Sequence, residues 1–231
     1  MSLSDIILHN TSNVSLVTQL MHFIPRKHGA IELSSLHLPS LDELDRLSTT
    51  MASSSCAVVG PGKSLLNCTD SADICKHDVI IHINDHPKLL TICPRVDIQV
   101  VNAFACVGNQ AAHCNIKPRL FRLRHEWNPR MAKRFSNGAW LSTGLMTDYV
   151  NSVLIDRIPH GRCCNSAGGA AVALSLKTCK HTTLYGIGSR TQQGYIDDSK
   201  KDTRNSVHDF ESESQWFRFL NRHRHVQMRC T

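Results

Sequence analysis

The run Cys56-Ala57-Val58-Val59 constrains the fold more than any other stretch of the chain. Four consecutive apolar residues stop at Gly60-Pro61-Gly62. A strand with apolar residues at both odd and even positions has to be covered on both faces, and Gly and Pro mark a tight turn after it. Similar β-rich runs follow at Val79 to Ile83, Val96 to Val101, Leu120 to Leu123 and Thr182 to Ile187. Between and after them, Leu65 to Lys76, Leu145 to Ile158, Gly169 to Lys177 and Asp209 to Arg222 read as helices. The last of these places Phe210, Phe217 and Leu220 on one face. Strands alternating with helices predict a single α/β domain over residues 51–231, with a mostly parallel sheet covered by helices on both faces. Residues 1–50 are polar with scattered Leu and Ile and contain Pro25 and Pro39, so they are expected to form an irregular lead-in or stem. In such sheets ligands bind beyond the carboxyl ends of the strands, where the Gly-rich turns fall.

A chain of 231 residues suffices for one sizeable core, and 41% apolar with 19% charged residues excludes wholesale disorder. The net charge of +7 suits anionic partners such as nucleotides and acidic sugars. Its densest clusters, Lys117 to Arg134 and Arg218 to Arg229, are interleaved with apolar residues, as solvated faces of ordinary elements are; no nucleic acid partner is expected. Ten cysteines include no Cys-x-x-Cys pair, so zinc-ribbon and thioredoxin-like readings lack their spacing. His223 and His225 read as part of a basic surface turn, and no metal site is expected. The cysteines point either to an oxidising compartment or to small buried hydrophobes. Sequons at Asn10, Asn13 and Asn67 fit lumenal exposure, while no apolar stretch reaches membrane-spanning length and no signal-peptide pattern is visible.

The turn after the first strand has more than one reading. Gly62-Lys63-Ser64 nearly closes a phosphate-binding P-loop, in which backbone N–H groups cradle phosphates, Lys63 reaches them and Ser64 binds magnesium. Pro61 removes a donor from that loop, and the best candidate for a magnesium-binding carboxylate, Asp85, stands between Asn84 and His86. A tight strand-to-helix turn is the plain alternative.

A third reading comes from the strings that follow. Cys56-Ala57-Val58-Val59-Gly60 and then His77-Asp78-Val79-Ile80-Ile81-His82-Ile83-Asn84-Asp85-His86-Pro87 resemble the large sialylmotif. Asn165-Ser166-Ala167-Gly168-Gly169, with Cys179 and Leu184-Tyr185-Gly186 downstream, resembles the small one. Ser142-Thr143-Gly144 fits the Ser-Thr-Gly usual in that small motif more literally but lacks the downstream pattern. His208 followed by Glu213 resembles the terminal motif, and Gly194-Tyr195-Ile196-Asp197 retains part of the short motif between them. In this order the strings resemble the eukaryotic-type sialyltransferase family, glycosyltransferase family 29, as a divergent member.

The resemblance implies a glycosyltransferase A-like fold in its sialyltransferase variant. It also implies transfer of sialic acid, or a related acidic sugar, from a CMP-activated donor to a glycan hydroxyl by inverting displacement. Gly60, Gly62, Asn84, Ser166, Ala167 and Gly168 would line the nucleotide-sugar site, His208 would deprotonate the acceptor, and Glu213 and Tyr195 would support it. A Gly-rich turn admits the main chain close to a nucleotide, an Asn amide can donate and accept, and a Ser-capped helix start favours an anion. The family bond between its two long motifs would join Cys56 to Cys179. No cofactor or metal would be needed, the partners would be a nucleotide sugar and a glycan, and the setting would be the Golgi lumen or secretory pathway, with membrane association only through a segment absent from this chain. The chain departs from the family pattern at Pro61, where an Asn is usual, at His82 in place of Arg, at Ala167 in place of Thr and at Gly194 in place of His. An inactive, glycan-binding relative and a P-loop ATP- or GTP-binding protein are the other readings.

Overall fold

Ser55–Val59 forms β1, with Cys56 through Val59 all buried. It belongs to a computed structural model that describes residues 7, 39–84, 87–101, 118–124, 139–141, 166–187 and 210–230. The remaining strands are β2 (Val79–Ile83), β3 (Ile98–Val101), β4 (Phe121–Arg124), β5 (Ala139–Leu141), β6 (His181–Tyr185) and β7 (Gln227–Arg229). The helices are α1 (Leu41–Ala52), α2 (Pro87–Ile92), α3 (Ala167–Thr178) and α4 (Phe210–Arg222). The seven strands form one sheet in the order β5-β4-β3-β2-β1-β6-β7. Every pair is parallel, with Val58 opposite Ile81 on one side and Leu184 on the other.

The two-residue period of the strands divides the core into two layers. Cys56, Val58, Val79, Ile81, Ile83, Ile98 and Val100 face α3 together with Trp216, Phe217 and Leu220 of α4. Ala57, Val59, Ile80 and Tyr185 face the opposite way, onto Leu65, Ile74, Leu89 and Cys93. Helix α3 lies close on the sheet because Ala167, Gly168, Gly169, Ala170 and Ala171 present almost no side chain, and all five are buried.

Helix α2 and strand β5 have no counterpart in the sequence reading, and four further elements differ from it. The lead-in is helical from Leu41 to Ala52, because Ser40 accepts the Glu43 N–H at 3.2 Å and Leu44 and Met51 are buried. The expected helix over Leu65 to Lys76 is instead two 3-10 segments, Lys63–Asn67 and Thr69–Lys76, broken where Cys68 is extended. Polar Asn67, Thr69, Asp70 and Ser71 are weak helix formers, and bridges from Cys68 to Cys230 and from Cys75 to Cys93 hold the segments at both ends. The third strand begins at Ile98, not Val96, because the buried Asp97 faces its own set of donors. Its carboxylate accepts the Ile80 N–H at 2.8 Å and pairs with Arg95 and Arg119, each at 3.2 Å. Finally, β7 extends the sheet beyond β6, a short edge strand too polar to be read from the sequence. The helix expected over Leu145 to Ile158 lies outside the described residues.

A third bridge joins Cys56 in β1 to Cys179, the residue that ends α3, with Cα atoms 6.1 Å apart and a sequence separation of 123. Replacing both cysteines by Ser is expected to lower unfolding free energy by about 2–5 kcal/mol, read from denaturant midpoints under non-reducing conditions.

On the other layer, His77 Nε2 lies 3.0 Å from the Tyr185 hydroxyl, and the rings meet edge to face. Burial, reinforced by the Arg229 charge, pushes the His77 imidazole below its ordinary 6.5. The unfolded chain therefore binds the extra proton first, and the contribution of the neutral ring is complete above about pH 6.5 and declines as pH falls from there. His77→Gln should flatten the loss of melting temperature between neutral and mildly acid pH; an unchanged slope would show that His77 does not carry it.

Candidate functional site

The strand order reverses direction between β1 and β6, which makes their carboxyl ends the switch point of the sheet. Two turns meet there. Gly60 N–H donates to the Tyr185 carbonyl at 2.8 Å, and Gly62 N–H donates to the Gly186 carbonyl at 3.1 Å. A methyl group on Gly60 would come within 2.7 Å of Ile187 Cγ1 and 2.8 Å of the Gly186 oxygen. Gly186 itself has φ +62°, a left-handed conformation that glycine adopts readily. The glycines are thus demanded by the approach of one turn to the other, and the amide groups of Gly60 and Gly62 are committed within the protein. This removes the basis of the P-loop reading, which needs those donors pointed at phosphate. Ser64, its magnesium ligand, donates its hydroxyl to the Cys230 carbonyl at 2.5 Å. The expected nucleotide contacts of Gly60 and Gly62 cannot be made through their N–H groups for the same reason.

Asn84 follows directly on β2 with φ +56°, a conformation Asn tolerates better than most residues. Its N–H donates to Val100 O at 2.8 Å, and its carbonyl accepts from Gln99 Nε2 at 3.1 Å. Gln99 is fully buried beside its register partner His82. A polar residue inside the apolar run Ile98-Gln99-Val100-Val101 was the one signal by which sequence could have found it.

Ser166 caps α3, its Oγ accepting the N–H groups of Gly168 at 3.0 Å and Gly169 at 3.2 Å. The same hydroxyl donates to Glu213 Oε2 at 2.6 Å, while the Ser166 N–H donates to Glu213 Oε1 at 2.5 Å. Glu213 is 3% exposed and comes from the first turn of α4. The residue expected to support His208 therefore holds the start of α3. Gly168 lies on Ile83: a methyl group there would sit 3.8 Å from Ile83 Cδ1. Ser166, Ala167 and Gly168 accordingly gather at the end of β2, where Asn84 follows.

The Cys56–Cys179 bridge lies at the far end of α3 from Ser166. Twelve residues of α-helix span about 18 Å, so the bridge acts on the site by fixing the helix axis and not by lining the site. His208 and Tyr195 lie outside the described residues, as do Gly194 and Asp85; Phe210, which opens α4, follows His208 by two positions in the chain.

A mammalian sialyltransferase solved in complex with Gal-beta-1-3GalNAc-ortho-nitrophenol overlays this chain with a TM-score of 0.69. The overlay covers 97% of this chain and 89% of that one, at 14% identity. The chain has the sialyltransferase fold. A second crystal structure of a mammalian sialyltransferase overlays with a TM-score of 0.66, over 98% of this chain and 90% of the other, again at 14% identity. No family profile and no curated protein sequence matches the chain. In this sialyltransferase fold the α3–α4 junction depends on a buried carboxylate with two donors from one serine. Glu213→Gln exchanges one acceptor for a donor and is expected to cost about 1–3 kcal/mol of stability. Combined with Ser166→Ala in a double-mutant cycle, it should show coupling above about 0.5 kcal/mol; additive losses would mean that the pair does not act as a unit.

Proposed function

We propose that this chain is a glycosyltransferase that moves sialic acid, or a closely related acidic sugar, from a CMP-activated donor to a glycan hydroxyl. One observation carries the reading beyond the fold: the bond from Ser166 to Glu213 joins two of the three sequence matches, and Gly168 packs against Ile83, next to Asn84 of the other. Three separate strings thus converge at the carboxyl end of one parallel sheet. The start of α3, whose Ser166 donors are taken up by Glu213, borders the end of β2, where the proposed nucleotide contact is the Asn84 amide, a group able both to donate and to accept. His208, two residues before α4, is the proposed base that takes the proton from the attacking hydroxyl as the CMP leaves from the opposite side, which inverts the anomeric centre. With the departing phosphate met by protein donors, the reaction needs no metal. The three bridges fit folding in an oxidising compartment, and the Golgi lumen is the proposed place of work.

Incubating the purified chain with CMP-sialic acid and galactose-terminated acceptors should yield a sialylated product, unaffected by a chelator. His208→Ala should lower turnover by roughly 100-fold or more while leaving CMP affinity within a few-fold. Glycan binding without turnover in the unaltered protein would instead identify an inactive relative, and absence of CMP binding would overturn the reading.

A further inference from the structure

The first 3-10 segment ends at Asn67, and Asn67-Cys68-Thr69 is an acceptor sequon for N-glycosylation. Asn67 and Thr69 are both exposed, and their side chains make no hydrogen bond among the described residues. Next to them Leu66 is 49% exposed, one of two large apolar side chains so open to water among the described residues. No hydrogen bond among the described residues ties the Asn67 or Thr69 side chain to Asn84, Ser166 or Glu213.

The middle residue of the sequon, Cys68, is bonded to Cys230 across 162 residues. Once that bridge closes, it holds the chain directly after Asn67. At a synthesis rate of about 5–20 residues per second, Cys230 follows Cys68 by roughly 8–30 s. The acceptor therefore emerges well before the bond that would restrain it can form.

From these observations we infer that Asn67 carries an N-linked glycan, attached before the Cys68–Cys230 bridge closes and covering Leu66 in the folded protein; this rests on the oxidising-compartment reading above. The donor is an oligosaccharide linked to a lipid diphosphate. Asn67 Nδ2 bonds to C1 of the first sugar and loses one proton to a base of the transferring enzyme. The bond from C1 to the diphosphate oxygen breaks, and its electron pair leaves with the lipid diphosphate. Nothing is oxidised or reduced.

The test is expression of the full chain behind a cleavable secretory leader in animal cells, with sites mapped by enzymatic deglycosylation in heavy-oxygen water and mass spectrometry. The peptide bearing Asn67 should show the Asn-to-Asp conversion that marks glycan release. Asn67→Gln and Thr69→Ala should each remove one glycan from the gel mobility, Thr69→Ser should keep it, and Cys230→Ser should leave occupancy at or above that of the unaltered chain. An unmodified Asn67 in protein that has formed the Cys68–Cys230 bridge overturns the glycan and leaves the compartment reading standing. Glycan at Asn10 or Asn13 with none at Asn67 overturns it equally. A chain secreted with free thiols at Cys56, Cys68, Cys75, Cys93, Cys179 and Cys230 overturns both. Lower occupancy in Cys230→Ser overturns the order of events.

Discussion

A carboxylate buried between two helices has to find donors there, because its ionised form is costly away from water. Glu213 finds both in Ser166, the backbone N–H for one oxygen and the hydroxyl for the other. The hydroxyl in turn accepts from two free N–H groups at the head of α3. A short chain of charge-assisted hydrogen bonds therefore runs from the first turn of α4 into the positive end of the α3 dipole. The register between the two helices follows from it, and so does the position of everything that α3 carries to the end of β2.

The other end of α3 is fixed by chemistry of a different kind. Cys179 is covalently tied to β1, and the small residues between the two anchors let the helix settle closely onto the sheet. A helix held at both ends and packed along its length has little freedom to tilt. The nucleotide site proposed beside its start thus depends on atoms a whole helix away. This is the sense in which a bridge can matter to a site that it does not line.

Much of the architecture was legible because fully buried parallel strands have no polar alternation to disguise them. Cys56 to Val59 and Val79 to Ile83 appear with almost the boundaries read from the sequence, and α3 differs by two residues at its start and one at its end. Helix α1 was obscured by its setting: Ser40 and Glu43 form a capping pattern, but Pro39 and a polar surround suggested irregular chain. The 3-10 segments were hidden because their geometry follows from long-range bridges, and the pairing of Cys68 with Cys230 leaves no local trace. The same holds for the site. Ser166 as a cap follows from local rules, whereas the partner of Glu213 is 47 residues away in the chain. Glycine is the least legible residue of all, since a close approach by ligand and a close approach by another stretch of backbone require the same absence of a side chain.

The contact between the Gly60-Pro61-Gly62 turn and the Gly186 turn carries that last point further. Because each turn occupies the space that a side chain on the other would need, neither loop can be exchanged for a relative's without its counterpart. Variation there has to arrive in concert or not at all. For anyone redesigning this framework, the two loops are one cassette.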